Sequence, residues 1–379
     1  MSYKYFTVAL FIIFNFNNVQ AQIDNSKLST EIAVTDSMEH HVMLSIGNIN
    51  FLKNNEYFND IVTGYTLFGT QLATQIAYQP SRYARIQGGI FLHKDYGNPQ
   101  LTKVAPLLTL KLEKNNYALL FGNLEANFAH RVIEPLYDYE RAIFNPVESG
   151  IQFKVKKEKI WSDTWFNWEV MQYLHSTYQE QFTVGHSSDI VLYHNNKWQF
   201  KLPVQAIITH KGGQIDVDTT DLKTLLNMAS GLTIRYVHHG FLQEIKSENY
   251  IALYRDLSPN PASIFDSGKG LFLNAAAKFK HDFTLSFGYW NGQNYLSSRG
   301  GKLFLSAASD YGKQGYVEKN RSLFLIRALY QKQIADGLCA DVRFEPFIDL
   351  NKHTFEYAYS FYLTYHFDFN VAHLHVANK

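Results

Sequence analysis

The chain has 379 residues, with 35 Lys and Arg against 34 Asp and Glu, so it offers no basic surface for nucleic acid. Its single cysteine, Cys339, excludes an intrachain disulfide bond, and stability must come from strand pairing and side-chain packing. Phe, Tyr and Trp make up 16% of the chain while the mean hydropathy is slightly negative, which is unusual for a helical membrane protein.

The N-terminus predicts a cleaved signal peptide over residues 1–21. Lys4 provides a positive start, residues 6–14 are apolar, and Ala21 ends a small-residue cleavage site. An apolar run of this length is too short to span a bilayer as a helix, which takes about 20 residues. Residues 22–379 are therefore expected to form the mature protein, as one domain.

Most of the mature chain alternates between apolar and polar residues, which is typical of strands because successive side chains point to opposite faces. One row of side chains is predicted to face a polar interior: Lys154, Gln199, Lys201, Gln205, Asp341, Arg343 and Glu345. The intervening row is predicted to face lipid: Ile151, Phe153, Phe200, Leu202, Val342 and Phe344. One short helix is predicted over residues 220–229.

Tight polar turns such as Asn195-Asn196 and Asp336-Gly337 alternate with longer connections. The longer ones include residues 127–147, 210–227, 256–268 and 292–320, which we expect to be extracellular loops. Short turns on one side and long loops on the other are typical of outer-membrane barrels. The pattern predicts an all-β, antiparallel, up-and-down transmembrane barrel with about 16 strands, 14 to 18 being possible.

The last strand is predicted over residues 355–369, where every odd position from Phe355 to Phe369 is apolar, seven of the eight being Phe or Tyr. With this strand, the whole mature chain resembles the porin-like outer-membrane β-barrels of Gram-negative bacteria. The resemblance implies an outer-membrane location, contact with membrane lipid and lipopolysaccharide, and recognition of the terminal strand by the barrel insertion machinery. Residues 370–379 depart from that pattern, because such barrels usually end on the final aromatic residue.

The resemblance also implies a channel for small hydrophilic solutes, possible homo-oligomers and no cofactor. In porins, one long loop narrows the pore with charged side chains. The loop over residues 127–147 is the candidate here, and its charged residues are predicted to form the constriction: His130, Arg131, Glu134, Asp138, Glu140 and Arg141.

Two alternatives remain open at this stage. The barrel could be plugged and serve an envelope complex, or it could hydrolyse a lipid or glycan. For hydrolysis, the available residues are His175 with Ser176 and the run His186, Ser187, Ser188 and Asp189, but adjacent residues on a strand point apart. The spacing of the histidines lacks a metal-binding pattern. The sequence therefore predicts that the protein is not an enzyme and holds no metal.

Overall fold

The computed structural model describes residues 25, 28 and 31–374, so the predicted signal peptide lies outside the described residues. No helix in the described part of the chain is long and apolar enough to cross a membrane.

Sixteen antiparallel strands close into one barrel, which confirms the predicted architecture and strand number. The strands are β1 (His41–Phe58), β2 (Thr63–Ser81), β3 (Ala84–Asp95), β4 (Lys103–Lys114), β5 (Tyr117–Asn123), β6 (Ser149–Lys157), β7 (Ile160–Val170), β8 (Gln181–His194), β9 (Trp198–Lys211), β10 (Lys223–Val237), β11 (Leu242–Asp256), β12 (Ser267–Phe279), β13 (Phe283–Gln293), β14 (Asn320–Ala335), β15 (Leu338–Asp349) and β16 (Thr354–His373). Each pairs with its sequence neighbours, and β1 pairs with β16 to close the barrel.

Connection length alternates around the barrel. The turn between β4 and β5 places Asn115 at a φ of 56°, and the turn between β14 and β15 places Gly337 at 72°. Asn and Gly tolerate this left-handed conformation, which tight hairpins require. The opposite rim carries long connections, above all residues 124–148 and 294–319. Outer-membrane barrels usually carry long connections on the extracellular rim and short turns on the periplasmic rim, and the two rims are called by these names below.

The helices of the described residues lie outside the strands. Helix α1 (Arg141–Phe144) and the 3₁₀ turns Asn127–His130 and Lys302–Phe304 fall within the two long connections, and a further 3₁₀ turn, Asp36–Met38, precedes β1.

The alternation divides the wall into two faces. In β6, Gln152 and Lys154 are buried completely, whereas Ile151 and Phe153 are 47% and 43% exposed. Polar side chains are thus buried inside the barrel while apolar ones are exposed outside it. A soluble protein has the opposite arrangement, with apolar side chains inside. The arrangement seen here is expected where the outer surface of a barrel contacts hydrocarbon.

The helix predicted over residues 220–229 is wrong. Residues 223–237 form β10, whose backbone pairs with β9 on one side and β11 on the other. Leu225, Asn227 and Ala229 are buried inside while Met228 is exposed outside, so the period is that of a strand. The terminal strand also extends beyond its predicted end at residue 369, reaching His373.

Candidate functional site

Two long connections meet inside the barrel. The Asp138 amide donates to the Arg299 carbonyl at 2.7 Å, and the Gly301 amide donates to the Glu134 carbonyl at 2.8 Å. The Tyr295 hydroxyl adds a bond of 3.0 Å to the Pro135 carbonyl. Residues 124–148 and 294–319, called the lumen plug below, therefore pack as one unit across the lumen.

The chain before β1 also enters the lumen. The Lys111 ammonium donates to the Ile32 carbonyl at 2.6 Å, and the Ile32 amide donates to the Glu125 carboxylate at 2.9 Å. Glu125 in turn pairs with Lys111 and Lys154, at 2.9 Å and 2.5 Å. The lumen thus contains chain segments entering from both rims, rather than water alone.

A buried histidine anchors the plug to the wall. The His130 Nδ1 lies 2.9 Å from the Asp163 carboxylate, and its Nε2 lies 3.0 Å from Glu148. The ring stacks on Trp165 with centroids 3.6 Å apart. Burial alone would lower the pKa of His130, but the two carboxylates outweigh it and raise the pKa to about 9. With a carboxylate bound at each ring nitrogen, His130 is held protonated and ties the plug to β7.

A second group of polar side chains lies near the outer ends of β1 and β2. Glu140 of the plug accepts from the Lys53 ammonium at 2.9 Å and from the Asn55 amide at 3.0 Å. Its other carboxylate oxygen accepts from the Tyr65 hydroxyl. A single carboxylate of the plug therefore ties together side chains from two neighbouring strands.

Lys302, from the other connection of the plug, completes this group. Its ammonium donates to the Tyr65 hydroxyl at 3.2 Å. It also lies over the rings of Tyr65, Phe144 and Tyr311, 4.4 to 4.8 Å from their centroids. An ammonium has three donors, so Lys302 has capacity for a further acceptor.

Asp138 lies beside Glu140, whose backbone amide donates to the Asp138 carboxylate at 2.9 Å. Burial and then the neighbouring Glu140 charge raise the pKa of Asp138 to about 7. Burial also acts to raise the pKa of Glu140, but Lys53 and the Tyr65 hydroxyl lower it more. The pKa values of the two carboxyl groups thus move in opposite directions, so Glu140 is ionised at neutral pH while Asp138 can exchange a proton there.

We call this group the carboxylate cluster: Lys53, Asn55, Tyr65, Asp138, Glu140 and Lys302. It combines a proton acceptor near neutral pH with hydroxyl and ammonium donors. Those are the parts needed to activate a water molecule and to stabilise the oxyanion of an ester under attack.

The residues predicted to form a constriction do not gather into one ring. His130 joins Glu148 and Asp163, Glu134 pairs with Arg327, and Arg141 lies 3.7 Å from Glu169. Arg131 stacks over the Trp161 ring, 4.3 Å from its centroid. Only Asp138 and Glu140 share a cluster.

The residues predicted to line the lumen lie on that face of the wall. Lys201 pairs with Asp189 at 3.3 Å, Arg343 with Asp341 at 2.5 Å, and Glu345 lies 3.8 Å from Arg327. Gln205 binds the plug through the Ile133 amide at 2.9 Å. Gln199 shares the lumen-facing register of Gln205 and Lys201 and is half-buried.

Neither His175 with Ser176 nor His186 with Ser187 forms a pair, whereas His186 contacts Ser188 on the outward-facing side of β8. Ser187 is buried in the lumen, whereas His186 faces lipid, where its ring nitrogens lie 2.8 Å from the Thr164 hydroxyl and 3.1 Å from the Ser188 hydroxyl. Ser176 bonds the Tyr173 carbonyl in an outer loop. Within the described part of the chain, no three His, Cys, Asp or Glu side chains are placed to hold a metal.

Sequence reasoning missed Lys53, Asn55, Tyr65 and Lys302. The apolar–polar alternation of β1 and β2 could have placed Lys53, Asn55 and Tyr65 in the lumen. All three belong to the odd-numbered row of side chains, which faces inward in both strands. Their partner Glu140 lies 75 or more residues away in sequence, and nothing in the local pattern links them.

Comparison with known structures supports the fold. A loop L8 deletion mutant of OmpT, an outer-membrane protein of Vibrio cholerae, superposes with a TM-score of 0.53 at 11% identity, covering 86% of this chain and 100% of that one. OprD from Pseudomonas aeruginosa gives 0.50 at 10% identity, covering 90% and 97%. These likenesses confirm the predicted porin-like, outer-membrane type of barrel.

A family model described as lipid A 3′-O-deacylase-type matches residues 33–374, which is nearly the whole of the described chain. No curated protein matches the sequence. The matching family is one of enzymes, so the prediction that this protein is not an enzyme is wrong. The alternating pattern of the strands does not indicate an enzyme, because the groups that could act chemically come from strands and loops that are distant in sequence.

Proposed function

Since the chain belongs to the lipid A 3′-O-deacylase-type family, we propose that it hydrolyses an acyl ester of lipid A at the carboxylate cluster. The observation that carries this proposal is the Asp138–Glu140 pair, whose two pKa values are pushed apart beside the Tyr65 hydroxyl. Pairs of carboxyl groups with separated pKa values are the usual basis for acid and base roles in one site.

In the proposed reaction, the Asp138 carboxylate accepts a proton from a water molecule, whose oxygen attacks the ester carbonyl. The Lys302 ammonium donates to the oxyanion that forms. As the carbon–oxygen bond to the sugar breaks, Asp138 returns the proton to the leaving alkoxide. The products are a fatty acid and a free sugar hydroxyl. Glu140, held ionised by Lys53, keeps the pKa of Asp138 high and positions Tyr65.

The position of the cluster supports a substrate in the outer leaflet. Lys53 and Asn55 precede the extracellular end of β1 at Phe58, and Tyr65 follows the start of β2 at Thr63. These side chains face the lumen near its extracellular mouth, through which the acyl ester of an outer-leaflet glycolipid would reach them.

The test is mass spectrometry of lipid A after incubation with the refolded full chain in mixed vesicles. We expect loss of one acyl chain with the wild type, and a rate about 10²- to 10⁴-fold lower for Asp138→Asn. Asp336→Asn, in a periplasmic turn, is the matched control and should keep the wild-type rate.

Each failure points to a different error. Intact lipid A after incubation with folded wild-type protein would refute the activity. Equal rates for Asp138→Asn and wild type would keep the activity but remove the carboxylate cluster as its site.

A channel for small hydrophilic solutes is the second candidate, and the closed barrel of 16 strands favours it because barrels of this size can enclose an aqueous pore. The lumen plug counts against it. Steady single-channel conductance of the full chain would support the channel.

A further inference from the structure

A groove lies on the outside of the barrel, on the wall formed by β10 to β13. It has a volume of about 590 Å³. Leu226, Met228 and Leu253 line its apolar part, and Arg255, Ser267 and Lys269 line its polar part. None of these residues belongs to the carboxylate cluster, which lies on β1, β2 and the plug.

The groove faces lipid and not the lumen. In β11, Ala252 and Tyr254 are buried inside the barrel, while Leu253 between them is 50% exposed. Arg255 has the same orientation as Leu253, and the register places Leu253 opposite Lys269 and Arg255 opposite Ser267. The two cations therefore stand next to each other on one outward-facing patch.

The groove reaches from the apolar wall to the extracellular rim. Arg255 is the penultimate residue of β11, which ends at Asp256, and Lys269 is near the start of β12 at Ser267. Leu226 lies opposite Arg255, and Leu253 lies between Met228 and Lys269, so the apolar side chains share two cross-strand rows with the cations. The groove thus holds cationic groups near the extracellular rim, beside apolar side chains that can contact acyl chains.

Neither cation is neutralised by the protein. Some basic residues near this rim are paired, as in Lys352 with Asp60, Arg299 with Glu169 and Arg321 with Asp349. Within residues 31–374, no ion pair involves Arg255 or Lys269. Two adjacent, uncompensated cations at a lipid surface repel one another unless an anion lies between them.

We propose that this groove binds a phosphorylated, anionic lipid of the outer leaflet, with its phosphate between Arg255 and Lys269. A guanidinium offers two parallel donors to a phosphate, and the Lys269 ammonium adds a point charge. The acyl chains lie on Leu226, Met228 and Leu253. A zwitterionic headgroup fits less well, because its ammonium would meet the same two cations. The site does not depend on the hydrolytic function.

Native mass spectrometry of the full chain, titrated with bisphosphorylated lipid A in detergent, tests the proposal. We expect Arg255→Gln/Lys269→Gln to weaken binding about 10- to 30-fold. Arg255→Lys/Lys269→Arg, which keeps both charges, should bind within a few-fold of wild type. The matched control is Lys114→Gln/Lys332→Gln, which removes two cations from the periplasmic ends of β4 and β14.

Bound lipid is counted whether or not an acyl chain has been lost, so absence of hydrolysis does not affect the result. Folding of each variant is confirmed by heat-modifiable gel migration. The proposal is overturned if the Gln variant binds as tightly as wild type, or if the periplasmic control loses as much affinity. It is also overturned if wild type binds a non-phosphorylated glycolipid of matched acyl chains equally well.

Discussion

At the residue scale, the surroundings of a titratable group decide what it can do. His130 and Asp138 belong to the same plug, yet their roles differ. His130 is enclosed by two carboxylates and is held protonated, whereas Asp138 is buried beside a third carboxylate and has a pKa of about 7. The first group stabilises the fold and the second can exchange a proton.

The raised pKa of His130 makes stability depend on pH. Its pKa rises from 6.5 to about 9 on folding, so the folded state binds the proton more tightly. The resulting stabilisation is fully present below pH 6.5 and is lost as the pH rises through 9. Its size is about 3 kcal/mol, most of which should disappear between pH 7 and pH 10.

Urea unfolding in detergent at pH 7 and pH 10 measures this loss as a difference in the free energy of unfolding. His130→Gln should show a smaller loss than wild type, while His239→Gln, in an exposed periplasmic turn, should match wild type. A wild-type loss that His130→Gln fails to reduce would contradict the assignment.

At the scale of the element, each strand presents one face to lipid and the other to the lumen. In β9, Leu202 points outward, and the neighbouring Lys201 points inward to pair with Asp189. The alternation holds because a strand has a period of two residues.

Substitution of Leu202 by Arg should therefore destabilise the barrel by about 2–4 kcal/mol, since it places a charge near the middle of the hydrocarbon. Lys201→Arg keeps a cation in the lumen and should cost little. Denaturant titration of barrels folded into lipid vesicles compares the two. Equal tolerance of both substitutions would show that the assigned faces of β9 are wrong.

At the scale of the whole molecule, closure of the sheet and filling of its lumen rest on different contacts. Pairing of β1 with β16 removes every exposed strand edge, as a bilayer requires. The lumen plug occupies the interior and is tied to the wall through His130, Glu134 and Glu140.

We expect the full chain to show little steady conductance in a planar bilayer, because the plug lies across the lumen. His130→Gln, which removes the cation between Glu148 and Asp163, should introduce open events by loosening the plug. Ser176→Ala, in an outer loop, serves as the control. Large, steady wild-type conductance would mean that the plug leaves a continuous water path.

The sequence by itself determined the class of barrel, the strand number and the two faces of each strand. These features follow from local rules, namely the two-residue period and the residues that tight turns require. The predicted helix at 220–229 failed because hydrogen bonding to both neighbouring strands overrode a weak local pattern.

Only the tertiary structure decided where the chemistry lies. The carboxylate cluster joins β1, β2 and two loops, and the outer groove joins four strands, so no local pattern reveals either one. The proton affinity of Asp138 likewise depends on burial and on Glu140, which are properties of the folded lumen. The two-residue period of the sequence is enough to specify the barrel wall, whereas the carboxylate cluster and the outer groove depend on contacts between residues that are distant in sequence.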